Sequence, residues 1–289
     1  MTQNSRRQSR TIKLGTVAIG GTAPITVQTM TKTDTRNIEA TSAEIRRLRL
    51  AGCDIIRLAV PDLEAATALK TICSQSQIPV IADIHFDHQL ALAAIKNGVH
   101  GLRLNPGNIR SEEKVREVAA AALDKGIPIR VGVNAGSLDP AIKAKHGGVT
   151  AAALAESALA EVHRLEKYGF ELIKIAVKAF DIATMTEAVR IVAGSCDYPL
   201  HLGVTESGLP EEGIIRSSIG IGSLLLAGIG DTIRVSLTGD SADEVMTGIR
   251  ILKTLGLRES GPVIVSCPTC GRCQIPLQQI AREVKQRLE

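Results

Sequence analysis

Short runs rich in Val, Ile and Leu recur along the chain, each followed by a longer stretch whose apolar residues return every three or four positions. The short runs read as strands and the longer stretches as amphipathic helices. Eight such runs stand out: "PITVQTM", "DIIRLAV", "PVIADIH", "GLRLN", "PIRVGVN", "LIKIAVK", "PLHLGVTE" and "TIRVSLT". Gly, Pro, Asn or Asp punctuates the junctions. The stretch "SEEKVREVAAAALDKG", Ser111 to Gly126, opens with Ser and Glu as a capping box does and closes on Gly. The last unit ends in "SADEVMTGIRILKTLG". Eight strand-helix units in succession predict an α/β fold, a (β/α)8 TIM barrel. A doubly wound open sheet is the alternative, but a glycine fingerprint normally follows its first strand, and none does here. The run "SSIGIGSLLLAGIGD" misses the G-x-G-x-x-G spacing and lies within a helical unit, where its glycines permit close packing.

Successive strand residues point to opposite faces. In "DIIRLAV" Ile56, Leu58 and Val60 share one face and Arg57 takes the other; in "GLRLN" Arg103 and Asn105 oppose Leu102 and Leu104. Arg130 and Asn134 oppose Ile129, Val131 and Val133, while Arg234 and Ser236 oppose Ile233, Val235 and Leu237. "LIKIAVK" offers Lys174 and Lys178, and "PVIADIH" offers Asp83 and His85. The apolar faces suit the helices, which leaves the polar faces for the barrel interior. One arginine in a strand usually marks a rim, but four on four strands, all opposite the aliphatic face, demand another account. Buried cations cost several kcal/mol unless anions meet them. Asp83 is the one clear carboxylate on these faces, with Glu206 just past the seventh strand. A phosphate-bearing ligand, gripped by guanidinium forks, would supply the missing charge. Barrel active sites lie at the carboxyl ends of the strands, where Asp83, His85, Asn105, Asn134, Lys178, Glu206 and Ser236 fall.

The 289 residues are a routine length for one barrel domain. With no Trp, two Tyr and three Phe, the core must be built from aliphatic side chains, as parallel sheets wrapped by helices are. So few rings, and a formal net charge of +4 spread along the chain, argue against nucleic acid as a partner. "IGIGSLLLAGIG" is too short and glycine-rich to span a bilayer, so a cytoplasmic protein without membrane contact is expected. The basic "NSRRQSR" reads as a solvated tail or a first strand, since no apolar signal region follows it. Cys53, Cys73 and Cys196 stand singly among apolar residues, as small buried thiols do in a reducing compartment. In "SCPTCGRCQ", by contrast, Cys267, Cys270 and Cys273 crowd into seven positions.

"ADIHFD", "LRLNPGNI", "PIRVGVNAGSL", "HLGVTE", "GIGDTIRVSLT" and "CPTCGR" together resemble, in order and spacing, the 4-hydroxy-3-methylbut-2-enyl diphosphate synthase family of the non-mevalonate isoprenoid pathway. The resemblance covers essentially the whole chain. It implies a TIM barrel followed by a small α+β iron-sulfur domain, and reductive opening of 2-C-methyl-D-erythritol 2,4-cyclodiphosphate with loss of water. It implies Arg57, Arg103, Arg130 and Arg234 as diphosphate ligands, completed by Asn105, Asn134, Lys178 and Ser236. Glu206 takes the place of the family's essential glutamate, a proton donor to a departing oxygen. Asp83 and His85 either orient the substrate or brace the barrel.

Cys267 and Cys270 match the family's first two ligands to a 4Fe-4S cluster, for which thiolate is the expected donor. The family's third cysteine and a glutamate come from a later motif that this sequence lacks, so residues 1–258 read as the barrel and 259–289 as the beginning of a truncated cluster domain. Cys273 is either incidental or a substitute third ligand. A zinc ribbon would want a second CxxC or a histidine pair nearby. The family further implies a homodimer and reduced ferredoxin or flavodoxin as electron donor. Two other functions compete: a Schiff-base aldolase using Lys178, in which the cysteines have no part, and a barrel that binds the cyclic diphosphate without turning it over.

Overall fold

The computed structural model describes residues 6–85, 87–104, 109, 111–259 and 261–288. It opens with an antiparallel hairpin, β1 (Ile12–Leu14) and β2 (Val17–Ile19), whose Ile12, Leu14 and Ile19 pack against Ile55 and Ile81. These side chains plug the amino-terminal end of a barrel. Its strands are β3 (Thr26–Met30), β4 (Ile55–Ala59), β5 (Val80–Asp83), β6 (Gly101–Leu104), β7 (Ile129–Asn134), β8 (Ile173–Lys178), β9 (His201–Leu202) and β10 (Thr232–Ile233). Each lies within one of the eight runs predicted from the alternation. The sheet order is β8-β7-β6-β5-β4-β3-β10-β9, with every pairing parallel, and a parallel bridge between Ile175 and Leu200 joins its two ends. That closure excludes the open sheet.

The helices α1 (Ile38–Leu50), α2 (Leu63–Gln75), α3 (His88–Lys96), α4 (Glu112–Asp124), α5 (Pro140–Lys145), α6 (Ala151–Glu166), α7 (Ile182–Ser195), α8 (Pro210–Leu226) and α9 (Ser241–Thr254) fill the intervals. Most start where a short polar side chain accepts an otherwise orphan N–H: Asn37, Asp62, Asp87, Ser111, Asp139, Thr150, Asp181 and Asp240 all cap in this way. The predicted capping box at Ser111 is only half formed. Ser111 Oγ accepts from the Lys114 N–H, but the position that should return the bond carries lysine, not glutamate. Within α8 a Cβ on Gly220 would lie 2.7 Å from Val204 and 3.0 Å from Met185, so the helix sits this close to its neighbours because that residue is glycine. Among the described residues no helix is long and apolar enough to cross a membrane.

Of the basic amino-terminal run, the described part is neither a free tail nor a barrel strand. Arg7 donates to the carbonyls of Ala193, Tyr198 and Cys196, and Arg6 pairs with Asp231 at 2.8 Å. The loose carbonyls at the end of α7 supply acceptors that solvent would otherwise satisfy. Cys53 is buried, and Cys73 and Cys196 are half-buried against the core; burial pushes the Cys53 and Cys73 thiols up to about 12. Beyond the barrel, α10 (Leu277–Leu288) buries no side chain.

Candidate active site

Strand alternation carries Arg57 of β4, Asp83 of β5, Arg103 of β6, Arg130 and Asn134 of β7, and Lys178 of β8 to the barrel interior. With His85, Arg234, Ser236, Val204 and Thr205 they line one cavity of about 190 Å³ at the carboxyl end of the strands. Register explains the convergence: Asp83 pairs with Arg103, Arg103 with Arg130, and Asn134 with Lys178 on adjacent strands. Small residues leave room for the long cations. A Cβ on Gly203 would stand 2.5 Å from the Arg234 carbonyl oxygen and 3.1 Å from Lys178 Nζ.

Asp83 sits between two of the arginines. Arg103 Nη1 donates to its Oδ1 at 3.0 Å, and Arg57 Nε lies 3.4 Å from its Oδ2, an ion-pair distance without hydrogen-bond geometry. Arg103 Nη1 also approaches the His85 ring nitrogens at 3.0 and 3.2 Å. Burial alone would raise the Asp83 carboxyl, but Arg57, His85, Arg103 and Arg130 outweigh it and hold the group below the usual carboxylate range. A second carboxylate comes from outside the barrel strands. Glu244 of α9, almost fully buried, lies 3.5 Å from Arg234 Nη2, accepts from Thr29 Oγ1 at 2.5 Å, and accepts from the Leu237 N–H.

Among the described residues, five cationic side chains thus line the cavity with one carboxylate, Asp83, while a second, Glu244, pairs with Arg234 from α9. Burial, then Arg57 and Arg103, pushes Arg130 below its ordinary value; a guanidinium keeps its proton in proteins, so the repulsion persists as a demand for anions. Burial, then Arg130, Arg234, Arg57 and Arg103, likewise pushes Lys178 well below its ordinary value. The Nε atoms of Arg57, Arg103, Arg130 and Arg234 are buried without a hydrogen-bond partner among the described residues. Beneath them Lys174 Nζ, His201 Nε2 and the Gln28 amide also lack partners, and burial followed by Arg130 and Arg57 brings Lys174 down to about 7.

Of the residues expected from sequence, ten of the strand-borne and rim positions are described, and nine of these line the cavity: Arg57, Asp83, His85, Arg103, Arg130, Asn134, Lys178, Arg234 and Ser236. Glu206 does not line it. Its residue is exposed at the rim, past β9, with a left-handed backbone (φ 55°) that costs a non-glycine residue about 1 kcal/mol or more. Asn105 lies outside the described residues. Sequence reasoning missed Glu244, Thr205 and Val204. The one available signal for Glu244 was its place in the buried stripe Ser241, Glu244, Val245, Gly248 of an otherwise amphipathic helix.

Cys267, Cys270 and Cys273 lie apart from this cavity in an exposed segment. The chain turns there through a Cys273 N–H bond to the Cys270 carbonyl, and Cys273 Sγ donates to the Ile275 carbonyl at 3.3 Å. The Arg272 backbone and side chain hold the Cys270 thiol below its ordinary value, which favours the thiolate that iron takes. The donor type therefore fits an iron-sulfur cluster. Among the described residues no three Cys, His, Asp or Glu side chains are gathered as a metal site.

Residues 9–249 match the family model described as the GcpE TIM-barrel domain. The 4-hydroxy-3-methylbut-2-en-1-yl diphosphate synthase (flavodoxin) of Geobacter sulfurreducens is 54% identical over 98% of this chain and 80% of its own length. Those of Thermodesulfovibrio yellowstonii and Clostridium acetobutylicum are each 53% identical over 98% of this chain and 81% of theirs. Among solved structures, a type I 3-dehydroquinate dehydratase from Clostridium difficile superposes with a TM-score of 0.63 at 14% identity, covering 86% of this chain and 98% of that one. A dihydropteroate synthase from Stenotrophomonas maltophilia gives 0.62 at 14% identity, with 86% and 97% covered. Such low identity speaks for the barrel fold alone. The identity shared with the synthases, spread over nearly the whole chain, goes further: the chain belongs to the 4-hydroxy-3-methylbut-2-en-1-yl diphosphate synthase family.

Proposed function

We propose that this oxidoreductase binds 2-C-methyl-D-erythritol 2,4-cyclodiphosphate in the barrel cavity and opens it reductively to 4-hydroxy-3-methylbut-2-enyl diphosphate, with flavodoxin as electron donor. The observation that carries the reading is the charge imbalance of the cavity, where Arg57, Arg103, Arg130, Arg234 and Lys178 face only Asp83 and Glu244 among the described residues. A cyclic diphosphate supplies anionic oxygens for guanidinium forks, and its binding removes the repulsion that the empty set of cations creates. Asp83 aims Arg57 and Arg103, and Glu244 aims Arg234, so the forks are set before the ligand arrives. Asn134, Ser236, His85 and Asn105 complete the cradle.

Glu206 serves as proton donor to the departing oxygen. Its strained backbone at the rim is the kind of conformation that persists where a side chain must be aimed. Cys267 and Cys270, with Cys273 beside them, would hold a 4Fe-4S cluster, which when bound supplies electrons singly. Residues 1–258 form the substrate barrel and 259–289 the beginning of a cluster domain; in the described part of the latter every side chain is exposed except the half-buried Leu277 and Ala281, which leaves Val263, Val265, Ile275 and Val284 for contact with a second copy in a homodimer.

The test is an anaerobic assay of the intact chain with reduced flavodoxin and the cyclic diphosphate, alongside calorimetric titration with the same ligand. The expected result is product formation in wild type. Glu206→Gln should lower turnover by on the order of 10²- to 10⁴-fold with little change in affinity. Tight binding without product, in protein carrying iron and sulfide, would replace this reading with that of a binding barrel.

A further inference from the structure

Lys178 ends β8 with its side chain inside the cavity, and among the described residues no carboxylate or carbonyl accepts a hydrogen bond from its Nζ. The groups that face it are Arg57 of β4, Asp83 and His85 of β5, Arg103 of β6, Arg130 and Asn134 of β7, His201 of β9, the Gly203 backbone after β9, and Arg234 and Ser236 after β10. The only carboxylate in that set, Asp83, is committed to Arg57 and Arg103. We propose that Lys178 is a covalent capture site for small phosphorylated aldehydes, which the surrounding guanidinium groups anchor by the phosphate while the amine forms an imine with the carbonyl.

Three features combine. The first is an amine held inside the cavity among guanidinium groups: burial and then Arg130 and Arg234 disfavour its charge, and a desolvated lysine beside other cations is the recognised route to a nucleophilic amine. The second is a phosphate anchor on the same walls, which turns a bimolecular encounter into a positioned one. The third is room, since the cavity of about 190 Å³ that Lys178 helps to line admits a two- or three-carbon phosphate beside the amine. In the reaction the nitrogen lone pair attacks the carbonyl carbon, the carbinolamine loses its oxygen as water, and the amine's two hydrogens leave in that water. The neutral imine puts no new charge among the arginines, while the phosphate brings charge they lack. No oxidant, reductant or cluster takes part, so the inference stands apart from turnover of the cyclic diphosphate.

The intact protein is incubated with glycolaldehyde phosphate, treated with borohydride to fix any imine as a secondary amine, and analysed by peptide mass spectrometry. One adduct per chain is expected, on Lys178, with saturating inorganic pyrophosphate suppressing it at least tenfold. Unphosphorylated glycolaldehyde should label Lys178 at least tenfold more slowly. Lys178→Met should lose the adduct, and because that variant removes a buried amine, circular dichroism establishes that it folds. Labelling spread over surface lysines, indifference to pyrophosphate, or equal labelling by the unphosphorylated aldehyde would each overturn the proposal. The last two comparisons use wild type and do not depend on the variant.

Discussion

The barrel interior and the cysteine-bearing segment 261–288 hold their candidate functional groups under opposite conditions. In the barrel, Arg57, Arg103, Arg130 and Lys178 are fixed by strand register, buried, and pressed against others of like sign. In the segment, the thiols project from an exposed turn, and the amphipathic helix that follows buries nothing. The barrel site is therefore organised by its own fold. The cysteine segment has thiol donors, but among the described residues they are not gathered into a metal site. Substitutions should separate the two cleanly.

The largest effect should come from Cys267→Ser with Cys270→Ser. Iron and sulfide should be lost and turnover abolished, while pyrophosphate affinity stays unchanged and thermal stability moves by no more than about 0.5 kcal/mol, as for other exposed positions. Loss of pyrophosphate binding together with the iron would show that the two regions are not independent. Next comes Arg130→Ala, which strips a charged donor from the cavity wall. Calorimetry should find pyrophosphate bound roughly 10- to 100-fold more weakly, with iron content unaltered. Undiminished affinity would mean that the phosphates do not reach Arg130.

The same contrast governs how much the sequence discloses. Arg57, Arg103, Arg130 and Arg234 were legible because period-two alternation places each opposite aliphatic neighbours, and a closed barrel leaves such a face only the interior. Glu244 escaped because its carboxylate reaches the cations from a helix, a contact that no local period encodes. The hairpin β1–β2 escaped as well: three-residue strands are too short for a periodicity argument, although Gly15 marks their turn with φ 57°. At Glu206 the rim exposure was not legible, since it depends on how neighbouring loops lie. The cysteine spacing announces thiolate chemistry, but completion of a site rests on partners that spacing cannot name.

A smaller effect sharpens the comparison through packing. In Gly203→Ala the new methyl would meet the Arg234 carbonyl at 2.5 Å, and backbone cannot yield as the Lys178 side chain can. Overpacking of this kind should cost about 1–3 kcal/mol, seen as a melting temperature lower by several degrees and weaker pyrophosphate binding. Gly271→Ala, in the cysteine segment, meets nothing within 4 Å and should leave melting unchanged. Equal melting of the two variants would mean that the cavity wall is as yielding as the exposed turn.

The smallest effect tests whether the barrel is strained by its own charges. Lys174 is held down to about 7 by burial, then by Arg130 and Arg57, against a partial offset from Asp231. In the unfolded chain its amine titrates near 10.4. Between those values the unfolded state binds the extra proton, so the ligand-free protein gains stability as pH rises from about 7 to about 10; below about 7 both states are charged and the penalty is complete. Lys174→Met removes the charge while keeping a flexible apolar stem. Replacing a poorly compensated buried ion by an apolar side chain is worth on the order of 1–4 kcal/mol. The variant should therefore melt several degrees above wild type at pH 6, and the gap should narrow by pH 9 because wild-type Lys174 is then neutral. Pyrophosphate should narrow the gap at pH 6 too, since its charge compensates the same ammonium. A variant that melts below wild type at pH 6 without ligand would show that Lys174 is paid for within the fold, and the contrast between a strained barrel and a relaxed cysteine segment would fail at its base.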